Sequence, residues 1–237
     1  FLPPSLSSST ELGQQVEIPY YWAISPDKDA TFIPRFTTKE GTVYQGEYRQ
    51  RFESGQIGMF GTATWPETRT PGTPADDNFR GSLFGDGRFR VDENWSWGFR
   101  SELATDDTYL RKYGLSGATD LVSNINASYA EGRNSFTADA YYFQGLLATD
   151  SANTTPWVAP ILQYNYSYPE QVIGGRIGFS NTKVETAAST TKINTTSIVP
   201  FARYTFGNPS AFSFFGQGEL PLNFYGGDID SDSSIGV

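Results

Sequence analysis

Between Asn94 and Leu103 the sequence alternates. Trp95, Trp97, Phe99 and Leu103 fall on one side, and Ser96, Gly98, Arg100 and Glu102 on the other. Successive side chains of a β-strand point to opposite faces, so this stretch is a strand with one apolar and one polar face. The period recurs along the chain. In Val43–Phe52, Tyr44, Gly46, Tyr48 and Phe52 oppose Gln45, Glu47, Arg49 and Arg51. In Gln56–Trp65, Ile57, Met59, Ala63 and Trp65 oppose Gln56, Gly58, Thr62 and Thr64. In Ile173–Phe179, Ile173, Ile177 and Phe179 oppose Gly174, Arg176 and Gly178. No segment of useful length repeats every 3.6 residues, and no apolar run is long enough for a membrane-crossing helix.

The pattern predicts roughly thirteen antiparallel strands. The first is an irregular strand over Phe1–Thr10. It is followed by Gln14–Ile24, Asp29–Thr38, Thr42–Phe52, Gln56–Trp65, Phe79–Val91 and Trp95–Thr105. The remainder are Leu121–Ala130, Ser135–Leu146, Trp157–Tyr168, Gln171–Val184, Thr195–Phe206 and Ser210–Tyr225. Each approaches the ~9–11 residues that a tilted strand needs to cross a bilayer.

Connection lengths add a second constraint. Long ones, at Pro66–Asn78, Asp106–Asp120, Leu147–Pro156 and Glu185–Asn194, alternate with short ones at Asp92–Asn94, Glu131–Asn134, Pro169–Glu170 and Gly207–Pro209. Such alternation puts every long loop at one end of the sheet, as in outer-membrane barrels with short periplasmic turns and long extracellular loops. A soluble sandwich has no reason to keep that parity. Phe 18, Tyr 14 and Trp 5 make 16% of the chain aromatic, which suits a lipid face with interfacial girdles. The expected fold is therefore all-β, an antiparallel transmembrane β-barrel.

Charge placement agrees with this fold. Arg35, Glu47, Arg49, Arg51, Arg100, Glu102 and Arg176 all land on the polar face of their strands. On a lipid face each would cost about 2–4 kcal/mol at the midplane, whereas a lumen lets them pair or stay hydrated. They are the candidate lumen-facing residues. The same pattern also fits the solvated face of a soluble sheet.

The net charge of -9 argues against nucleic acid as a partner. The chain has no Cys and no His. A disulfide within this stretch, a thiolate or imidazole metal site and a His-based triad are thus excluded. No catalytic residue, metal or cofactor is expected, and the chain reads as a non-enzyme. It starts at Phe1 without Met, and both ends read as cuts from a longer precursor.

Pro4, Pro19 and Pro34 each fall inside an expected strand. Proline has no N–H for a sheet ladder, so it belongs at edges or bulges. Two adjacent Pro-bearing strands at the start would pair weakly with each other and with whatever closes a barrel. Alternatively, the prolines blunt an edge against aggregation.

The stretch Ile18-Pro19-Tyr20-Tyr21-Trp22-Ala23-Ile24-Ser25-Pro26-Asp27-Lys28-Asp29-Ala30-Thr31 resembles the start of the barrel in the LptD family of LPS-assembly proteins. Phe32-Ile33-Pro34-Arg35-Phe36, Lys39-Glu40-Gly41 and Gly46-Glu47-Tyr48-Arg49 extend the match. Upstream, Phe1-Leu2-Pro3-Pro4 is similar to the family's approach to its first strand, with Pro3 an additional proline. Asp107-Thr108-Tyr109-Leu110-Arg111 with Tyr113-Gly114 also fits a family loop. The specific match covers about the first fifty residues; beyond them the agreement is of strand style.

The resemblance implies a large barrel that takes lipopolysaccharide from a periplasmic bridge, is plugged by the lipoprotein LptE and releases lipid sideways into the outer membrane. Family members carry a Pro in each of the first two strands at that lateral gate, and Pro4 and Pro19 match those positions. The chain would be a barrel segment over residues 1–237, about half of the whole. The family's periplasmic domain and remaining strands lie outside it. Two rival readings are a porin-like channel for small solutes and a secreted carbohydrate-binding β-sandwich.

Weaker signals are glycosylation sequons at Asn126, Asn153, Asn165 and Asn194, an acidic tail at Asp228, Asp230 and Asp232, and the carboxylate pairs Asp76–Asp77 and Asp106–Asp107. Solvated loops account for them more simply than a site does.

Overall fold

Strand follows strand through the computed structural model, which describes residues 2–66, 79–147, 150, 157–168, 170–185, 190–207 and 213–227. In order these are β1 (Ser5–Ser9), β2 (Gly13–Glu17), β3 (Tyr20–Ser25), β4 (Lys28–Thr37), β5 (Gly41–Phe52), β6 (Gly55–Thr64), β7 (Arg80–Arg90) and β8 (Trp95–Ala104). A short helix, α1 (Tyr109–Lys112), precedes β9 (Asp120–Glu131), β10 (Asn134–Gly145), β11 (Trp157–Ser167) and β12 (Gln171–Glu185). The last strands are β13 (Thr190–Gly207), β14 (Ser213–Glu219) and β15 (Leu222–Gly227). Every pairing with a defined register is antiparallel. The all-β, antiparallel expectation therefore holds.

The chain forms two compact units. One comprises Phe1–Phe89, Phe99–Ser123 and Gln144–Asp150; the other comprises Arg90–Gly98, Asn124–Phe143 and Ser151–Val237. In the first, strands run in the order β1-β2-β4-β5-β6-β7-β8-β9, with β3 on β4. In the second the order is β8-β9-β10-β11-β12-β13-β14, with β15 on β13. Short turns are built locally. Asp92 Oδ1 accepts from the backbone N–H groups of Asn94 at 2.8 Å and Trp95 at 2.7 Å, which is how an Asp side chain reverses the chain.

The structure has more strands than expected because two expected strands are each broken at a proline. Gln14–Ile24 becomes β2 and β3, interrupted at Ile18-Pro19, and both pieces pair with β4. Ser210–Tyr225 becomes β14 and β15, interrupted at Leu220-Pro221, and both pieces pair with β13. Of the long connection expected over Glu185–Asn194, Glu185 and Thr190–Asn194 are strand, since the β12–β13 register runs unbroken from Gln171↔Tyr204 to Glu185↔Thr190, and residues 186–189 lie outside the described residues. The alternating β-branched residues around Thr191, Ile193 and Thr195 suit a pleated sheet and outweigh the Thr- and Asn-rich loop signal. The expected loop Asp106–Asp120 contains α1, a helix that the period analysis missed. Residues 67–78 and 151–156, and with them Asp76–Asp77 and Asn153, lie outside the described residues, as does the acidic tail.

Each unit has one apolar face exposed. In the first, Tyr20, Trp22, Phe32, Phe36, Tyr44, Phe52 and Trp65 are all exposed. Register places Tyr20 opposite Phe32, Phe32 opposite Gly46 and Tyr44 opposite Ala63, so these residues share one face. In the second, Tyr164, Ile173, Ile177, Ile198, Phe206 and Phe214 are exposed, with Ile177 opposite Ile198 and Phe206 opposite Phe214. Exposed Tyr21, Phe215 and Tyr225 fall on the other face. The buried cluster of the first unit (Leu12, Val43, Tyr109, Leu110, Tyr113, Leu121 and Leu146) sits on the polar side, where the β8–β9 connection folds over it.

Candidate functional site

The first strands owe their pairing limits to the direction of individual N–H groups. Ile18 N–H donates to Pro34 O at 3.2 Å and Thr38 N–H to Gln14 O at 3.1 Å. Neighbouring residues of an antiparallel strand direct their backbone groups to opposite sides. Even-numbered residues of β2 therefore face β4, and odd-numbered ones face β1. Ser5↔Glu17, Ser7↔Gln15 and Ser9↔Gly13 are then the hydrogen-bonding rungs of β1–β2.

Extended by one rung beyond Ser5↔Glu17, the same register would set Pro3 against Pro19. Neither has an N–H, so the rung cannot form in either direction, and β1 begins only at Ser5. Two missing backbone bonds withhold about 1–3 kcal/mol from the pair. By the same alternation Pro4 is directed away from β2. It removes a donor from the outer edge of β1. Pro34 faces β2, so its rung with Ile18 carries one bond instead of two. Four prolines thus fall in two adjacent rungs of three strands.

The polar face carries the charges. Arg35 donates from Nε to Glu17 Oε1 at 2.5 Å and from Nη1 to the Tyr113 carbonyl at 2.8 Å. Arg49 pairs with Asp29 at 3.0 Å and lies 3.7 Å from Glu47. Glu102 Oε2 accepts from the Val122 N–H at 3.2 Å. Arg49, Glu47, Arg100 and Glu102 line one groove of about 370 Å³ with Asp86. Arg51 is exposed, opposite Gln56. Arg176 approaches Glu219 at 3.8 Å with both side chains more than a third exposed. Each of the seven candidates lies on the face opposite most of the exposed aromatics of its own unit.

A cluster that the sequence reading missed holds the β8–β9 connection against this face. Arg80 binds Asp106 through both nitrogens, at 2.8 and 2.5 Å. Its guanidinium lies 5.6 Å from the Tyr109 ring centroid and 5.7 Å from that of Tyr113. Asp106 also accepts from the N–H groups of Thr108 and Tyr109, so it starts the α1 turn and is not half of a carboxylate dyad. Burial opposes its charge, yet the Arg80 and Thr108 donors outweigh burial and hold its carboxyl well below the usual range.

The Tyr109 hydroxyl reaches Thr62 at 2.8 Å, and burial pushes this phenol up. Burial also pushes Tyr113 up to about 12. Lys112 closes the cluster on Glu40 at 2.9 Å. The available signal was Tyr109, Leu110 and Tyr113, which share one face of a single helical turn. Asn126, Asn165 and Asn194 lie within β9, β11 and β13, a strand context that no longer resembles loop sequons.

An antiparallel sheet with aromatics exposed on one face and charges gathered on the other is the arrangement of a transmembrane β-barrel of the outer-membrane class. No helix among the described residues is long and apolar enough to cross a membrane. The family model described as "LPS transport system D" matches residues 78–222, more than half of the chain. The chain belongs to this family, LptD.

Among similar curated proteins, the LPS-assembly protein LptD of Pseudomonas putida (strain W619) is 45% identical over 60 residues, which is 24% of this chain and 6% of that protein. The LPS-assembly protein LptD of Alkalilimnicola ehrlichii is 29% identical over 133 residues, 56% of this chain and 17% of that protein. That of Idiomarina loihiensis is 43% identical over 60 residues, 24% of this chain and 8% of that protein. The chain spans less than a fifth of the length of these relatives.

Proposed function

We propose that this chain is a segment of the β-barrel of an outer-membrane lipopolysaccharide translocon, and that lipid leaves sideways along the edge formed by β1. The observation that carries the reading is the run of prolines. Pro3 and Pro19 leave a rung without donors, and Pro4 takes a donor from the free edge of β1. A seam in a bilayer must open without exposing many unsatisfied backbone groups, because each costs several kcal/mol there. Removing the N–H groups beforehand lowers that cost.

The gate residues are Pro4 and Pro19. Arg35, Glu47, Arg49, Arg51, Arg100, Glu102 and Arg176 face the lumen. The remaining strands, the plug lipoprotein LptE and the periplasmic bridge complete the machine. The protein is a transporter and not an enzyme. Exposed aromatics on one face of each unit support this reading over a water-soluble carbohydrate-binding sandwich. A porin-like channel gains nothing from prolines at its first strands.

The test restores the donors. The double variant Pro3→Ala with Pro19→Ala in the full-length protein rebuilds the missing rung. Lipopolysaccharide reaching the cell surface should fall several-fold while the barrel still inserts. Unchanged surface lipopolysaccharide with normal insertion would remove the gate.

A further inference from the structure

The apolar face next to the prolines is not flat. A groove of about 410 Å³ crosses β3 to β6. Trp22, Tyr48 and Met59 stand in one row along it, Tyr20 and Phe32 close the end of the next row, and Gly46 and Gly61 in that row floor it. Its depth comes from the glycines. They lie opposite each other on β5 and β6 and in one row with Phe32 and Tyr20. A Cβ placed on Gly46 would meet nothing within 4 Å. Gly85 of β7 lets Met59 lie over it, since a Cβ there would fall 2.3 Å from the Met59 sulfur. The Met59 wall therefore depends on a third glycine, and the trough is a feature of several strands together.

We infer that this groove holds one acyl chain of lipopolysaccharide beside the seam, an inference that rests on the proposed function. Three observations select that occupant. The groove belongs to the face of exposed aromatics, which a bilayer covers in a barrel of this class. Its lining is mostly aromatic, thioether, Ala and Gly, with Thr31 and Glu47 beside them, which suits a hydrocarbon chain and offers no cation for a phosphorylated headgroup. Finally, it is continuous with the proline rungs. Tyr20 follows Pro19, Phe32 lies one same-face step from Pro34, and β3 pairs only with β4 among the described residues. A chain leaving at β1 meets the open side of β3 and then the trough. The groove keeps one chain of the departing lipid in contact with protein while the rest clears the seam.

The experiment uses the full-length protein in cells, with a photo-reactive benzophenone amino acid in place of Phe32, and in separate variants in place of Leu83 and Pro4. Leu83 is exposed on the same face, on β7, outside the groove. The inference expects lipopolysaccharide adducts at position 32 several-fold above those at position 83. Gly46→Trp fills the trough and should lower them several-fold. Gly175→Trp, at another strand glycine with open space around its Cβ position, should leave them unchanged. Phospholipid as the sole adduct at position 32, equal yields at 32 and 83, or no effect of Gly46→Trp would each overturn the groove. Lipopolysaccharide adducts at position 4 with none at 32 would overturn the groove and leave the seam standing. Absence at both positions, with the barrel inserted, would overturn the seam and the groove together.

Discussion

The same proline device occurs twice, with different results. At β2–β3, Ile18 donates to the carbonyl of Pro34, and Pro19 breaks the strand one residue later. At β14–β15, Leu220 donates to the carbonyl of Pro200 at 3.1 Å, and Pro221 breaks the strand one residue later. In both, an X-Pro dipeptide faces a proline that can accept but not donate. In both, the strand that carries this proline is held on its other side, and β4 is held by β5 from Lys28↔Gln50 to Thr37↔Gly41. β13 is held on its other side by β12 through an unbroken register from Glu185↔Thr190 to Gln171↔Tyr204. Thr205 N–H reaches Glu170 O, so odd-numbered residues of β13 face β12 and Pro200 faces away from it. The difference lies on the far side of the broken strand, where β2 pairs with β1 and β14 pairs with no further strand among the described residues. β1 is short and fully exposed, and Pro3 and Pro4 precede it at the level of the break. At β14–β15 the prolines break one strand against a single partner; at β1–β2 they are aligned across three neighbouring segments, where the proposed seam lies.

The first region survives its weak ladder because the β8–β9 connection clamps its polar face. The largest expected effect is therefore on that clamp. Arg80→Ala leaves the Asp106 carboxylate without its cation and uncovers the Tyr109 and Tyr113 rings. It should cost about 2–4 kcal/mol, discounted from a fully buried pair because Asp106 is partly exposed. Amide exchange in β4–β7 should rise, while exchange in β12–β13 stays the same. Equal loosening of both regions would break the comparison.

Acid probes the same contact. The folded carboxyl of Asp106 is held below its ordinary value of 3.8. Its contribution is thus complete above that value and lost as pH falls through the lower folded one. Unfolding of the clamp followed against pH should show no loss from this group between neutrality and about pH 5. A loss within that window would contradict the assigned shift.

Restoring the seam is the next largest effect. Pro3→Ala with Pro19→Ala should add about 1–3 kcal/mol to the β1–β2 pairing, read as new protection of the amides at positions 3 and 19. The matching change in the second region, Pro200→Ala, restores one donor, about 0.5–1.5 kcal/mol, and should leave lipid transport unchanged. A transport defect from Pro200→Ala as large as that of the double variant would erase the distinction between the two regions. The smallest effect belongs to Arg176→Ala. Its ion pair with Glu219 is long and exposed, and its loss should change stability by about 0–1 kcal/mol.

The alternation of Trp95–Leu103 or Val43–Phe52 shows in sequence because each strand has one apolar face, and register then adds strands with the same parity. The faces of the seven charged candidates were legible for that reason. Arg80, Asp106, Tyr109 and Tyr113 were not. Arg80 is separated from Tyr109 by two strands and a turn, and only the folded register brings its guanidinium to the loop. Pro19 and Pro34 were visible as single residues, but their effect depends on which side each absent N–H faces, and sequence alone does not fix that direction. The β12–β13 pairing up to Glu185↔Thr190 was hidden by Thr and Asn, which suit both loops and strands.

The most direct measurement places a photo-reactive residue at Pro4 in the full-length protein in cells, followed by irradiation and isolation of adducts. The account predicts a lipopolysaccharide adduct that depends on active lipid delivery. An inserted barrel that yields none at this position would contradict the seam.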